Sequence, residues 1–321
     1  MKILIASSIH SQAVERLKAE HDVICAFGAS EETLQSLIID REVLILRSGV
    51  QITADVLAAA PHLKLILRAG SGVDNIDVDY VRQVGIQLVR IPGPGAKAVA
   101  ELSFALMLAL SRNVLKADQL WRNGHWVKYE MTGYLLTGKV LGIVGAGNIG
   151  SRAGQLGVAW GMTVLGCVES PNSEKGEHLW KQGIYLTSFN EVLSSSDFVS
   201  IHVPLKDSTR YLIDAEAIGR MKPDAILVNL ARGGVVDEAA LCQALSNGHL
   251  RGAALDVHEV EGEGKISPLA KFDNVILTPH MGAGTYDSQQ EIGEIVVETI
   301  SAFTSRPAEG SLESDRVVVH V

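Results

Sequence analysis

Val140-Leu141-Gly142-Ile143-Val144-Gly145-Ala146-Gly147-Asn148-Ile149-Gly150 is the stretch on which the reading of this chain turns. The apolar run 140–144 predicts a buried strand, and the residues from Ile149 to Trp160 predict a helix. Between them, Gly145 permits a tight turn, Gly147 lets a phosphate approach the backbone, and Gly150 lets the helix pack closely on the strand. The unpaired N–H groups and partial positive charge at the start of such a helix suit phosphate. Glycine-rich turns are common, so the pattern alone is weak. The strand before it and the helix after it supply the context of a dinucleotide site, with Gly145, Gly147, Asn148, Ile149 and Gly150 against the cofactor. Such a site expects an acid about 20 residues on to hold the ribose hydroxyls. The predicted strand Thr163–Val168 is followed by Glu169, which reads equally as that acid or as a solvated turn residue. Lys175 is the first base after it, which favours NAD and leaves NADP open.

Working outward, strands and helices alternate on both sides. Before the stretch, strands are predicted at Lys2–Ala6, Val23–Cys25, Val43–Leu46, Leu65–Arg68 and Gln87–Arg90. Helices are predicted at Ser11–Glu20, Glu31–Ile38, Ala54–Ala59 and Val78–Val84. Pro92-Gly93-Pro94-Gly95 is a breaker cluster and the candidate hinge, followed by one long helix, about Val99 to Arg122. After it, strands are predicted at Phe198–His202, Ala225–Asn229, Gly252–Val257 and Val275–Leu277. Helices are expected at Glu191–Ser194, Glu238–Asn247 and Ser288–Phe303, then a polar tail ending in the apolar patch Val317–Val321. This βαβ rhythm implies parallel sheets covered on both faces.

Length and composition agree: 321 residues suit about two domains, and 47% hydrophobic with 20% charged residues provides for a sizeable core. The net charge of −9 and the lack of a basic patch argue against nucleic acid. An acidic surface repels anions, so an anionic substrate must meet a local group of arginines. The three cysteines fit no zinc spacing and no metal is expected. No apolar run reaches about 18 residues and the N-terminus lacks a signal-peptide pattern, so a cytoplasmic protein without a membrane span is expected.

Three further residues could carry chemistry. Arg232, in Asn229-Leu230-Ala231-Arg232-Gly233-Gly234, follows a strand at the edge where open parallel sheets bind ligands. Its planar fork suits a carboxylate and a carbonyl oxygen, although a surface arginine beside a turn fits equally. His280, in Thr278-Pro279-His280-Met281, and Glu261 make a plausible proton-moving pair. Spacing does not establish that they meet, and most of the ten histidines will be structural.

Taken together, the segments resemble the D-2-hydroxyacid dehydrogenase family, closest to its phosphoglycerate dehydrogenase branch. The resemblance rests on Arg68-Ala69-Gly70-Ser71-Gly72-Val73-Asp74, Val99-Ala100-Glu101, His202-Val203-Pro204-Leu205, Met221-Lys222-Pro223, the run from Asn229 through Asp237 to Asp256, and Thr278-Pro279-His280. It implies an α/β fold of two Rossmann-like doubly wound parallel-sheet domains. The substrate-binding domain would be discontinuous, 1–98 plus 285–321, around an NAD-binding domain at 99–284. It implies Arg232, Glu261 and His280 as the catalytic set. Arg232 would bind the carboxylate and reacting oxygen, His280 would move the proton, and Glu261 would orient it and favour its charged form. Ser71, Gly72 and Val73 would bind the substrate carboxylate. His202, Pro204, Thr209, Ala231 and Gly282 would join the cofactor site, with Asp256 at the nicotinamide.

The chain departs from the family pattern at three places. Gly262 replaces the usual proline after the catalytic glutamate, which makes Glu259 an alternative partner for His280. Val168 stands where a ribose-binding aspartate is usual, and Leu230 where Ser or Thr is commoner. Arg47 and Arg68 match positions that bind a distal anion in the phosphoglycerate branch; interdomain salt bridges are the alternative. Ser71 replaces the lysine of the phosphite-oxidising branch, and the length leaves no room for the regulatory domains appended to long phosphoglycerate dehydrogenases. The resemblance implies a small anionic 2-hydroxy or 2-oxo acid as substrate and a homodimer pairing through Leu120–Tyr134, with Trp121 and Trp126 otherwise core aromatics. A glyoxylate or hydroxypyruvate reductase, a non-catalytic NAD(H)-sensing protein of the same fold and a formate-type dehydrogenase are the competing expectations.

Overall fold

A computed structural model describes residues 1–305 and the backbone of Val318–Val319. The rest of the expected tail, including most of Val317–Val321, lies outside the described residues. The chain divides into two compact units, Met1–Gly95 with Ala283–Val321, and Ala96–Gly282. The sequence expectation set these boundaries at 98/99 and 284/285.

The first unit begins β1 (Lys2–Ile5), α1 (Ser11–Glu20), β2 (Asp22–Cys25), α2 (Glu31–Ile38), β3 (Val43–Leu46), α3 (Ala54–Ala58), β4 (Leu65–Arg68), α4 (Val78–Gln83) and β5 (Gln87–Arg90). Its strands are short and mostly apolar, and β3 and β4 are buried throughout because both of their faces are covered. Leu4, Leu44 and Ile66 pack into one layer of core, Ile3, Ile45 and Leu67 into the other. Ser30, Thr53 and Asp77 cap α2, α3 and α4 by accepting the N–H three residues on, which fixes where each helix starts.

Two helices follow, α5 (Gly93–Ser111) and α6 (Val114–Arg122). They correct two expectations. The breaker cluster is not a loop: Gly93, Pro94 and Gly95 form the first turn of α5, where a proline costs little because its missing N–H would be unpaired anyway. The single long helix is broken at Asn113, which adopts a left-handed φ of 52°. By length and composition alone α5 is apolar enough to cross a membrane, yet it contains Lys97 and Glu101 and half of its apolar window is buried in protein.

The second unit continues β6 (Val140–Val144), α7 (Asn148–Ala159), β7 (Thr163–Cys167), α8 (Ser173–Lys181), β8 (Ile184–Leu186), α9 (Phe189–Ser195), β9 (Phe198–Ile201), α10 (Ala215–Arg220), β10 (Ile226–Asn229), α11 (Glu238–Ser246), β11 (Gly252–Leu255) and β12 (Val275–Leu277). The chain then returns to the first unit with α12 (Tyr286–Thr304) and β13 (Val318–Val319). Ile292, Val296 and Ile300 of α12 close one face of that unit's core. The sheet orders are β13-β5-β4-β3-β1-β2 and β12-β11-β10-β9-β6-β7-β8, and every pairing is parallel. Both sheets are therefore doubly wound, Rossmann-like layers. In the second, β6 lies between β7 and β9, so the order reverses beside the glycine-rich turn, where ligands bind in such sheets.

Candidate active site

The C-terminal edge of the second sheet gathers the candidate residues of that unit. Gly145 takes a φ of +94°, open to glycine at no steric cost. A Cβ on Gly150 would collide with the carbonyl oxygen of Gly145, whereas a Cβ on Gly147 would meet no atom within 4 Å. There is thus open space over the N-terminus of α7, which has no acidic residue in its first turn and no side-chain cap. These features fit the pyrophosphate of a dinucleotide. Asn148 and Ile149 open the helix, and Asn148 Oδ1 accepts from Arg152 Nε at 3.3 Å. His202 lies against the turn, its N–H donating to Val144 O at 2.8 Å. Thr209 Oγ1 donates to Pro204 O at 2.6 Å and accepts from Lys206 N at 2.8 Å, which closes the neighbouring loop.

Glu169 lies two residues beyond the end of β7 and is exposed, pairing with Lys206 Nζ at 3.1 Å. Lys206, 37 positions away in sequence, is a base at this edge that linear distance hid. The His202 ring is enclosed and bonded through Nε2 to Ser200 Oγ at 2.9 Å; burial pushes its pKa down to about 4.

On β10, β11 and β12 the same edge builds a second group. Asn229 Oδ1 accepts from Ala231 N, and its Nδ2 donates to Arg232 O at 3.1 Å, shaping the turn that carries Arg232. The turn lies against the next loop so tightly that a Cβ on Gly233 would overlap the His258 carbonyl. Asp256 is 1% exposed. Expected at the nicotinamide, it turns its carboxylate to the segment after β12: Oδ1 accepts from Thr278 Oγ1 at 2.6 Å and Met281 N at 2.9 Å, and Oδ2 from Gly282 N at 2.7 Å. Its backbone carbonyl accepts from His280 N at 2.8 Å. These bonds hold His280 at a φ of 51°, an uncommon conformation for a residue with a side chain that clusters at functional sites.

His280 Nδ1 and Glu261 Oε2 are 2.9 Å apart. Burial would raise the Glu261 pKa, but bonds and charge from His280, together with the His258 N–H, outweigh it and hold the carboxylate below its usual range. Glu259 is not the partner of His280. It exchanges bonds with Glu238, whose N–H donates to Glu259 Oε1 at 3.0 Å and whose Oε1 accepts from Glu259 N at 2.8 Å. A cavity of about 550 Å³ opens beside the dyad, lined among others by His258, Glu261, Lys265, Ile266, Leu277 and His280.

His258 was not singled out from the sequence. Its N–H donates to Glu261 Oε1 at 3.1 Å, and its Nε2 lies 3.0 Å from Thr278 O, two residues before His280. It ties the glutamate's loop to the histidine's segment. Only its place between Asp256 and Glu261 hinted at this.

Arg47, Arg68, Ser71, Gly72 and Val73 belong to the first unit. Arg68 ends β4 and is buried; Arg47 directly follows β3 and is half-buried, and burial lowers its pKa. The loop with Ser71–Val73 is pinned by Asn75, whose Nδ2 donates to Arg47 O at 3.1 Å and Val50 O at 2.6 Å. Among the described residues no group of side chains could hold a metal ion.

The chain is 42% identical to D-3-phosphoglycerate dehydrogenase of Methanocaldococcus jannaschii over 94% of its own length and 57% of that protein's. It therefore spans little more than half of that relative. It is 39% identical to hydroxypyruvate reductase of Thermotoga maritima, covering 84% of this chain and 87% of the relative. The structure of D-lactate dehydrogenase from Aquifex aeolicus, complexed with NAD and lactic acid, superposes with a TM-score of 0.83 at 30% identity, covering 98% and 97% of the two chains. Residues 104–282 match the family described as D-isomer specific 2-hydroxyacid dehydrogenase, NAD binding domain. By sequence and by fold, the chain belongs to the D-isomer specific 2-hydroxyacid dehydrogenase family.

Proposed function

We propose that this protein is an NAD-dependent D-2-hydroxyacid dehydrogenase, equally a 2-oxo acid reductase, acting on a small acid with a distal phosphate or phosphonate. The observation that carries it is the Glu261–His280 pair at 2.9 Å on the sheet edge that also bears the glycine turn and Arg232. When bound, the nicotinamide dinucleotide supplies hydride to the 2-carbon in reduction and accepts it in oxidation. Gly145, Gly147 and the first N–H groups of α7 hold the pyrophosphate, and Glu169 takes the ribose end, which favours NAD. Glu261 keeps a proton on His280 Nδ1, leaving Nε2 to give its proton to the 2-oxygen during reduction and to take it back during oxidation. Arg232 binds the 2-carboxylate and stabilises charge developing on the 2-oxygen. Arg47 and Arg68 receive the distal anion, and Ser71, Gly72 and Val73 the carboxylate.

Hydroxypyruvate without phosphate is the second reading, favoured by the reductase from Thermotoga maritima that this chain matches over 87% of its length. A screen of NADH oxidation with glyoxylate, hydroxypyruvate and 3-phosphohydroxypyruvate separates the two. Preference for the phosphorylated acid supports the first reading, preference for hydroxypyruvate the second. NADH binding without turnover of any acid would favour a cofactor-sensing protein.

A cytoplasmic homodimer completes the proposal. Trp121 and Trp126 are 60% and 71% exposed, with ring centroids 5.1 Å apart, and Tyr129 and Leu135 are exposed nearby. They are not core aromatics of this chain, and such an apolar patch suits a second copy. A monomer mass by light scattering at all concentrations would refute the dimer.

A further inference from the structure

Three arginines stand at the C-terminal ends of three neighbouring strands of the first sheet. Arg47 follows β3, Arg68 ends β4 and Arg90 ends β5; Leu46 is in register with Arg68, and Arg68 with Arg90. Neighbouring strands lie about 4.8 Å apart, so the Arg68 and Arg90 side chains leave the sheet side by side. Both guanidinium groups reach the loop after β4. Arg90 Nη1 donates to Ser71 O at 3.4 Å, and a Cβ on Gly70 would meet Arg68 Nη1 at 2.5 Å. The Arg47 backbone meets the same loop, where Asn75 Nδ2 donates to its carbonyl oxygen at 3.1 Å.

Among the described residues, neither Arg47 nor Arg90 has a carboxylate within ion-pair distance, and the buried Nε of Arg90 has no hydrogen-bond partner. Like charges at opposed positions repel, and a partly buried guanidinium without an anion is costly. In a chain of net charge −9, this edge concentrates positive charge where an anion would relieve it.

We propose that Arg90 is a specificity-determining residue. With Arg47 and Arg68 it forms a cradle of three guanidinium groups that selects acids with a distal tetrahedral dianion, phosphate or phosphonate, over acids with a distal carboxylate or none. A phosphate monoester presents three oxygens and a charge of about −1.5 to −2, which three forks match better than a carboxylate's two oxygens and single charge. Arg90's role rests on the dehydrogenase reading for its substrate but not for its anion.

The test compares the wild type with R90Q, R90K and R47Q, each checked for NADH binding as a sign of an intact second unit. The kcat/KM is measured with 3-phosphohydroxypyruvate and hydroxypyruvate, and inorganic phosphate binding by calorimetry. R90Q is expected to lose at least about tenfold on the phosphorylated acid, the scale of one charge-assisted hydrogen bond, and to keep most of its rate on hydroxypyruvate. R90K, with charge but no fork, should recover part of the loss, and its selectivity decides the matter if R90Q does not fold. Equal losses on both acids would make Arg90 a brace for the Ser71 loop and overturn the proposal, as would no loss at all. Should the wild type turn over neither acid, the dehydrogenase reading fails and phosphate binding decides. Binding weakened about tenfold by R90Q keeps the cradle; equal or absent binding removes it.

Discussion

The C-terminal edges of the two sheets differ in how they treat charge. In the second, Asp256, Glu238 and Glu261 each accept hydrogen bonds from neighbours in the same unit, and those of Asp256 and Glu261 converge on His280 and the residues flanking it. In the first, Arg47 and Arg90 face no acid among the described residues. An edge that is already satisfied holds its groups in fixed geometry, as proton transfer requires. An edge with uncompensated charge has chemistry that only a ligand completes. On the proposed reading, the second sheet's edge positions and the first sheet's edge binds.

The strongest way to break it is at the glycine turn. Because a Cβ on Gly147 meets no protein atom, G147D should fold normally while placing an anion in the phosphate space. NADH affinity, followed by fluorescence titration, should fall about 10³-fold, as like-charge juxtaposition costs several kcal/mol. Unchanged affinity would remove the cofactor from this edge. Next comes the carboxylate that serves His280. E261Q should lower kcat about 10²-fold, and E259Q far less, since Glu259 is engaged with Glu238. A reversed ranking would show that a different acid completes the site.

A smaller effect sharpens the role of positioning. H258F removes the link to Thr278 O while keeping the N–H to Glu261. It should cost about three- to tenfold in kcat, near 1 kcal/mol, shift the pH–rate profile, and be partly rescued by H258Q. A drop in melting temperature with an unmoved profile would leave His258 purely structural.

The smallest effect is on stability against acid. His202 has a folded pKa of about 4, below the ordinary 6.5, so between those values the unfolded chain binds more protons. Its contribution is complete above pH 6.5 and fades as the pH falls toward 4, by roughly 3 kcal/mol. Glu261, also depressed, acts in the same direction lower down: its contribution is present above 4.5 and lost as the pH falls through its folded value. H202Q should flatten urea midpoints between pH 6.5 and 4, and an unaltered slope would contradict the enclosed neutral ring.

Much of the fold could be read from the sequence because parallel strands buried on both faces are short apolar runs, as at 43–46, 65–68 and 226–229. What escaped was amphipathic or polar. Helix α8 is capped by Asn172, which accepts from Lys175 N, and α10 by Asp214, which accepts from Ala217 N; α8 is largely polar and α10 is only six residues long. The kink at Asn113 depends on one backbone dihedral. At the site, the glycine turn was legible because Gly145 answers to a positive φ and Gly150 to close packing, while Gly147 leaves room beside the backbone. The choice between Glu261 and Glu259 was not, because it is made by Glu238, more than 20 positions upstream. Arg90 escaped because its meaning lies in its register with Arg68, which no linear spacing displays.

The central claim is that His280, held by Glu261, is the group that moves the proton. The direct measurement is NADH oxidation by H280A beside NADH binding by the same variant. Binding like that of the wild type, with turnover of a 2-oxo acid lowered at least about 10²-fold, is the predicted result. Turnover equal to the wild type's would contradict it.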